Sequence, residues 1–303
     1  VDLTTARTAD GAAAFQPRPG GSCLNVAAGL GRLRVPTALL ARISDDHFGD
    51  LLRAHLAASG TRLTHALPAS DPTTLAAVHL REDGSAAYSF HANGSADRGL
   101  RPEHLAALPD GGTLPAGTAL HLGSLGLLLE PLASTLDGLI RREAGRRLVS
   151  LDPNVRPGLV TDRAAYLRRF AEWVALADMV KASDEDLAWL HLGESYEGVA
   201  ERWLASGAGL VLITFGSRGA WAAGRYARVY APARRSGQST LSERAMPSPP
   251  ECSPIRTAPA DSAAKASTTL APASLPGCCR TPWRSLPTPA PAPVPSRRTA
   301  TTA

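Results

Sequence analysis

No stretch of the chain approaches 18 consecutive apolar residues, so nothing in it reads as a membrane-crossing helix. The opening Val1-Asp2-Leu3 lacks the apolar segment of a secretory leader. Cysteine is scarce, with four in 303 residues and none at metal-ligand spacing; the adjacent Cys278-Cys279 pair suits neither zinc nor a disulfide framework. These absences lead us to expect a reduced, cytoplasmic chain with no membrane partner. Several catalytic signatures are missing too. No G-K-[ST] follows a Gly-rich loop, no G-x-G-x-x-G follows a strand, and no H-E-x-x-H occurs. Gly123-Ser124-Leu125-Gly126 lacks the first glycine of a hydrolase elbow. A basic face is missing as well. From Ala231 onward there are nine Lys or Arg and three Asp or Glu, so the first 230 residues carry a net charge of −1 against +5 for the whole chain. With no basic-aromatic stripe there, nucleic acid is not an expected partner.

What is present begins with Gly20-Gly21-Ser22-Cys23-Leu24-Asn25. Two glycines that let a ligand approach the backbone precede a small-residue helix with Val26, Ala27, Leu30 and Leu33 on one face. A helix start offers free N–H donors, and Asn25 adds a side-chain donor and acceptor. The stretch reads as a cradle for a polar ligand or as a turn before a helix that only packs.

Downstream, Thr37 to Ile43 reads as a buried strand and Asp46 to Ser59 as a helix with Phe48, Leu51, Leu52 and Leu56 on one face. Thr74 to Leu80 and Ala86 to His91 alternate around Glu82-Asp83-Gly84-Ser85, a hairpin pattern expected to form a lid. Strand and helix then alternate. Strands are expected at Thr118 to Leu122, Leu148 to Asp152, Asp178 to Lys181 and Leu210 to Thr214, with helices at Pro131 to Ala144, Arg163 to Leu176, Asp184 to His191 and Tyr196 to Ser206. That order predicts an α/β fold, a doubly wound, mostly parallel sheet with helices on both faces and its ligands beyond the strands' carboxyl ends.

Three such ends carry informative residues. Asp152-Pro153-Asn154-Val155-Arg156 places an arginine suited to a phosphate or carboxylate. Ser183-Asp184-Glu185-Asp186 suits either a hydrated Mg²⁺ near phosphates or a plain helix cap. Thr214-Phe215-Gly216-Ser217-Arg218-Gly219 offers a hydroxyl and bare backbone to a phosphate chain, or forms a tight hairpin.

In this order these segments resemble the ribokinase-like carbohydrate kinases of the phosphofructokinase B type, above all the fructokinase and 2-keto-3-deoxygluconate kinase branch. The matching pieces are Val1-Asp2-Leu3, Pro19 to Ser22 with Asn25, Ile43 to Asp46 with Gly49, Leu151 to Arg156, Lys181 to Leu190 and Leu212 to Ala220. The resemblance implies a small β lid, with elements near residues 10–20 and 74–91, and transfer of the ATP γ-phosphoryl to a sugar hydroxyl with ATP and Mg²⁺. It implies that Asp2, Gly20, Gly21 and Asn25 hold the sugar and that Arg156 approaches substrate or phosphate. Ser183, Thr214, Gly216 and Gly219 would contact nucleotide. The family's N-x-x-E magnesium motif falls on Ser183 and Asp186, a departure at both positions that leaves Asp186 as the implied metal residue. A homodimer through the lid is a further implication.

Two larger departures follow. The family has a strand before the segment matching Val1-Asp2-Leu3, and without it Asp2 is expected to sit on a frayed terminus. The G-A-G-D motif, which supplies the anion hole and the general base, does not occur in the sequence. Residues 1–230 are therefore read as an incomplete kinase domain. Residues 231–303 hold 14 of the 25 prolines and three of the four cysteines, have no apolar period, and are expected to form a disordered Pro/Ala-rich tail. Back-translating Gln238 to Ser253 with GC-leaning codons and reading from the third base spells V-D-T-V-G-A-G-D-A-F-T-A-G-M-L, the missing motif. The same shift turns Gly277 to Arg284 into L-L-P-H-A-L-A. A frame shift between about Tyr230 and Gln238 accounts for both. The expected product is a sugar kinase by lineage that is inactive as written; the alternative is a non-catalytic sugar-binding remnant or pseudogene product.

Overall fold

A computed structural model of the chain describes residues 1–80, 86–108 and 113–233. The expected Glu82 to Ser85 turn lies outside the described residues, as does the expected tail from Arg234 on, with the segment that replaces the G-A-G-D motif.

The elements run, in chain order, β1 (Asp2–Arg7), β2 (Ala13–Arg18), α1 (Ser22–Arg32), β3 (Ala41–Ser44), α2 (His47–Ala58), β4 (Ala66–Ala69), β5 (Leu75–Leu80), β6 (Ala86–His91) and α3 (Pro102–Ala106). They continue with β7 (Ala119–Gly123), α4 (Leu132–Glu143), β8 (Leu148–Asp152), α5 (Arg163–Leu176), β9 (Met179–Ser183), α6 (Asp184–Leu190), α7 (Tyr196–Ser206), β10 (Leu210–Thr214), β11 (Gly219–Gly224) and β12 (Arg228–Pro232).

The main sheet has the order β12-β11-β10-β9-β8-β7. Strands β7 to β10 are mutually parallel, and β11 and β12 are added antiparallel. One sheet face is apolar: Leu122, Val149, Leu151, Val180, Ala182, Val211, Ile213 and Trp221. Helices α4, α5, α6 and α7 cover it with Ile140, Phe170, Trp173, Leu187, Val199 and Trp203. Trp173 and Phe170 are almost wholly buried, each contributing about 1.5–3 kcal/mol of transfer free energy. The other face carries His121, Ser150, Asp152 and Lys181, linked by hydrogen bonds between neighbouring strands. Alternation thus sorts one polar and one apolar set onto opposite sides.

The helix starts have local causes. Asp46 caps α2 by accepting from the Gly49 amide at 2.7 Å, Asp162 caps α5 from Ala165 at 2.8 Å, and Ser195 caps α7 from Gly198 at 3.1 Å. Gly49 is required by packing, since a Cβ there would meet the Ser44 carbonyl oxygen at 1.8 Å.

A second sheet has the order β2-β1-β5-β6. Asp2 therefore does not fray, contrary to expectation. It opens a strand that pairs with β2 on one side and β5 on the other, and the Val1 nitrogen donates to the Thr74 carbonyl at 2.8 Å. Two further expectations need correction. Thr37 to Ile43 is a strand only from Ala41, because Pro36 and the single Ala38–Arg62 bridge limit its pairing, and β3 then joins β4 in a two-stranded sheet. The buried face of α1 is Leu24, Ala27, Ala28 and Gly31, while Leu33 is exposed. Gly31 dictates this rotation, since a Cβ on it would meet the Ser59 carbonyl at 2.4 Å.

Candidate functional site

The last residues of four parallel strands form one crest. Gly123 on β7 is paired with Asp152 on β8, and Ser183 on β9 with Thr214 on β10. Of the residues expected from the sequence, Asp2 opens β1, Gly20 and Gly21 precede α1 and Asn25 lies on it, Arg156 follows β8, Ser183 and Thr214 end β9 and β10, Asp186 is on α6, and Gly216 and Gly219 follow β10.

Gly21 caps α1 with φ 132, a left-handed conformation that favours glycine. Gly20 presses on Asp2: a Cβ at Gly20 would lie 2.1 Å from Asp2 Oδ2. Burial pushes the Asp2 carboxyl up, opposed by the positive Val1 amino group and by Arg156. Cys23 ties this cradle to the crest through its thiol, 3.9 Å from the Gly123 carbonyl. Asn25 is exposed on α1, one turn beyond Gly21, whose carbonyl accepts from the Asn25 amide at 2.8 Å.

Arg156 hangs from the loop after β8. Its Nη1 donates to the Asn154 side-chain oxygen at 2.8 Å and to the Asn154 and Val155 carbonyls at 3.1 Å. Asn154 adopts φ 37, and this left-handed residue turns the loop back over the crest. The Arg156 guanidinium carbon lies over the Tyr88 ring of β6, 5.6 Å from its centroid.

Ser183 and Asp186 take the capping alternative. The Ser183 hydroxyl accepts from the Asp186 amide at 3.0 Å and donates to Asp186 Oδ2 at 2.8 Å. Asp186 Oδ2 also accepts from the Ser183 amide, and Oδ1 accepts from the Val155 amide at 2.7 Å. With both oxygens engaged and the residue 5% exposed, Asp186 fixes the Arg156 loop from below and does not fit a direct metal ligand. Among the described residues, no group of three or more His, Cys, Asp or Glu is placed to hold a metal ion.

Thr214 ends β10, and Gly216 follows with φ 56 and open space around it. Gly219 has a packing reason: φ is 120, and a Cβ there would meet the Ala231 carbonyl at 2.2 Å. Arg218 and Asp184 pair at 2.5 Å across this end of the crest.

Sequence reasoning did not single out Tyr88 or His121, and named Asp152 and Lys181 only as the first residues of strand-end segments, without a role. Lys181 Nζ lies 3.1 Å from Asp152 Oδ2, and His121 Nδ1 lies 3.0 Å from the Ser150 hydroxyl. Among the described residues, Asp152 Oδ1 and His121 Nε2 are buried without a hydrogen-bond partner. Burial holds the His121 imidazole below its ordinary value, with Asp152 opposing. The signal was available in the sequence, as polar residues every second position in strands that are otherwise apolar.

Known proteins bear on this geometry. A fructokinase of Rhizobium leguminosarum bv. trifolii is 38% identical over 235 residues, 78% of this chain and 70% of the relative. The structure is similar to that of a Xylella fastidiosa fructokinase with bound ATP, at TM-score 0.66 and 26% identity, covering 76% of this chain and 74% of that one. A Vibrio cholerae O395 fructokinase in a fructose-, ADP- and calcium-bound form matches at TM-score 0.65 and 25% identity, covering 77% and 73%. The pfkB family carbohydrate kinase model matches residues 2–240. The chain belongs to the pfkB family of carbohydrate kinases.

Proposed function

We propose that the chain derives from an ATP-dependent kinase of a neutral sugar, fructose in the first place, and that it retains the binding half of that activity. The observation that carries this reading is the convergence of Asp2, Gly20 and Arg156. Gly20, at the entry to α1, packs closely against Asp2 of the second sheet, and the positive Arg156, on the loop after β8, acts on the Asp2 carboxyl. The Asp2 carboxylate accepts from hydroxyl groups and repels an acid, which favours a neutral sugar over a sugar acid.

In this reading Asp2 and Asn25 orient the sugar hydroxyls, Gly20 lets the chain pass close against Asp2, and Gly21 offers bare backbone to the ring. Arg156 faces the substrate from the crest. ATP lies along Ser183, Thr214, Gly216 and Gly219, with its γ-phosphate toward the sugar. The reaction forms a bond between a sugar oxygen and the γ-phosphorus and breaks the bond to ADP; most of its acceleration comes from positioning and electrostatic stabilisation. Magnesium, when it arrives with ATP, supplies charge neutralisation at the phosphates, and Asp186 serves the loop instead.

The general base and anion hole belong to the G-A-G-D motif, which residues 231–303 do not contain. That the family match stops at residue 240 supports the reading of a shifted frame. As written, the chain binds sugar with little or no turnover, since a positioned base contributes roughly 10²–10⁴-fold. Cytoplasmic residence and a homodimer formed through the second sheet, where Phe15 is exposed, complete the proposal.

The test is calorimetric titration with fructose and with 2-keto-3-deoxygluconate, together with ATP consumption before and after restoring the frame near codon 234. Fructose binding by the unrepaired chain, abolished by Gly20→Ala, is expected. Turnover equal to that of the repaired chain would refute the missing-base argument, and a preference for the keto acid would refute the neutral-sugar assignment.

A further inference from the structure

We propose that Tyr88 is a positioning residue, a ring on β6 that clamps the Arg156 guanidinium and so couples the second sheet to the crest. The proposal rests on the sugar-site reading of the space around Arg156, but its central claim is mechanical.

Register places the ring. Tyr88 pairs with Val78 and Phe90 with Ala76 across β5–β6, and Ala76 pairs with Asp2 across β5–β1. Directly opposed residues share a sheet face, so Tyr88, Phe90 and Asp2 point the same way. On that face Phe90 stacks against Tyr88 at 5.8 Å between centroids and 13° between planes, which orients the ring from behind. In front of it lies Arg156, 5.6 Å from the ring centroid. Tyr88 is 46% exposed, so the ring does not serve as core.

The arginine is held from the other side as well. Asp186 grips the Val155 amide at 2.7 Å, and Asn154 accepts from Nη1. These contacts hold the loop and one nitrogen of the guanidinium, and among the described residues Nη2 and Nε have no hydrogen-bond partner. The Tyr88 ring adds a cation–π contact from β6 to the same guanidinium and so restrains it further. Strand β6 and Arg156 then move together.

The experiment uses the full chain. Fructose affinity is measured by calorimetry, and hydrogen exchange is followed in residues 88–91 and 153–156 without sugar. Tyr88→Leu is expected to weaken fructose about three- to tenfold and to speed exchange in both segments. Tyr88→Phe, which keeps the ring, is expected to stay within about twofold of the parent in both readouts. Tyr88→Leu added to Arg156→Met should weaken fructose no further than Arg156→Met alone, because the two act as one unit. Parental exchange in both segments of Tyr88→Leu, or loss in Tyr88→Phe equal to that in Tyr88→Leu, would overturn the clamp. If the parent chain binds no fructose, the sugar-site reading falls, and the exchange data alone then decide the clamp.

Discussion

Lys181 and Asp152 stand 3.1 Å apart on neighbouring parallel strands, at the centre of the crest. The Asp152 side chain is 11% exposed and the Lys181 side chain 31%, and the second Asp152 oxygen has no partner among the described residues. A carboxylate so placed depends on its one cation. Lys181→Met is therefore expected to destabilise the fold by about 1–2 kcal/mol, after allowing for solvent screening of the half-exposed amine. Adding Asp152→Asn should return part of that loss. Urea unfolding of the two single variants and the double variant measures the coupling; purely additive effects would show that the pair is not an energetic unit.

Gly219 and Gly216 share a loop but differ in surroundings. A Cβ at Gly219 strikes the Ala231 carbonyl on β12, whereas one at Gly216 meets nothing within 4 Å. Gly219→Ala should cost at least about 2 kcal/mol by straining φ and pushing β12 away. Gly216→Ala should cost about 1 kcal/mol and act mainly on nucleotide binding. Thermal unfolding with and without ATP separates the two; equal losses of stability would refute the contrast.

Asp46 makes stability pH-dependent. Burial alone would push its carboxyl up, but the Thr73 hydroxyl and amide, the Gly49 amide and Ser44 outweigh it and hold it down to about 2, from an ordinary 3.8. A depressed folded value means that the stabilisation is complete above the unfolded value and is lost as pH falls from about 4 to about 2. Melting temperatures recorded across that window should fall more steeply for the parent than for Asp46→Asn. Parallel profiles would remove Asp46 from the account.

Cys23 lies at the entry to the cradle but is expected to be unreactive. Burial, and secondarily Asp152, push its thiol up to about 11, with the Gly123 backbone opposing. Only the thiolate alkylates, so at pH 8 iodoacetamide should modify Cys23 about a hundredfold more slowly in the folded chain than in urea. Peptide mapping by mass spectrometry isolates this site from the other cysteines. Rapid labelling in the native state would contradict the burial described for α1.

The parallel sheet and most of its helices were legible in the sequence, because 3.6- and 2-residue periodicities are local properties that burial turns directly into structure. Leu148–Asp152, Arg163–Leu176, Tyr196–Ser206 and Leu210–Thr214 form at the expected residues. The glycine pair before α1 and the arginine after β8 also stand where the chain pattern placed them, at a helix start and past a strand end. Three things needed the tertiary structure. Asp2 became the start of a paired strand only once β2 and β5 flanked it, partners 16 and 74 residues away in the register. Asp186 both caps α6 and accepts from a distant amide, that of Val155, which no local pattern announces. Tyr88 came to lie over Arg156 although 68 residues separate them in the chain. Sequence period decides which side of an element is apolar; the choice of partner for each polar side chain is made between elements, by distances that no local pattern encodes.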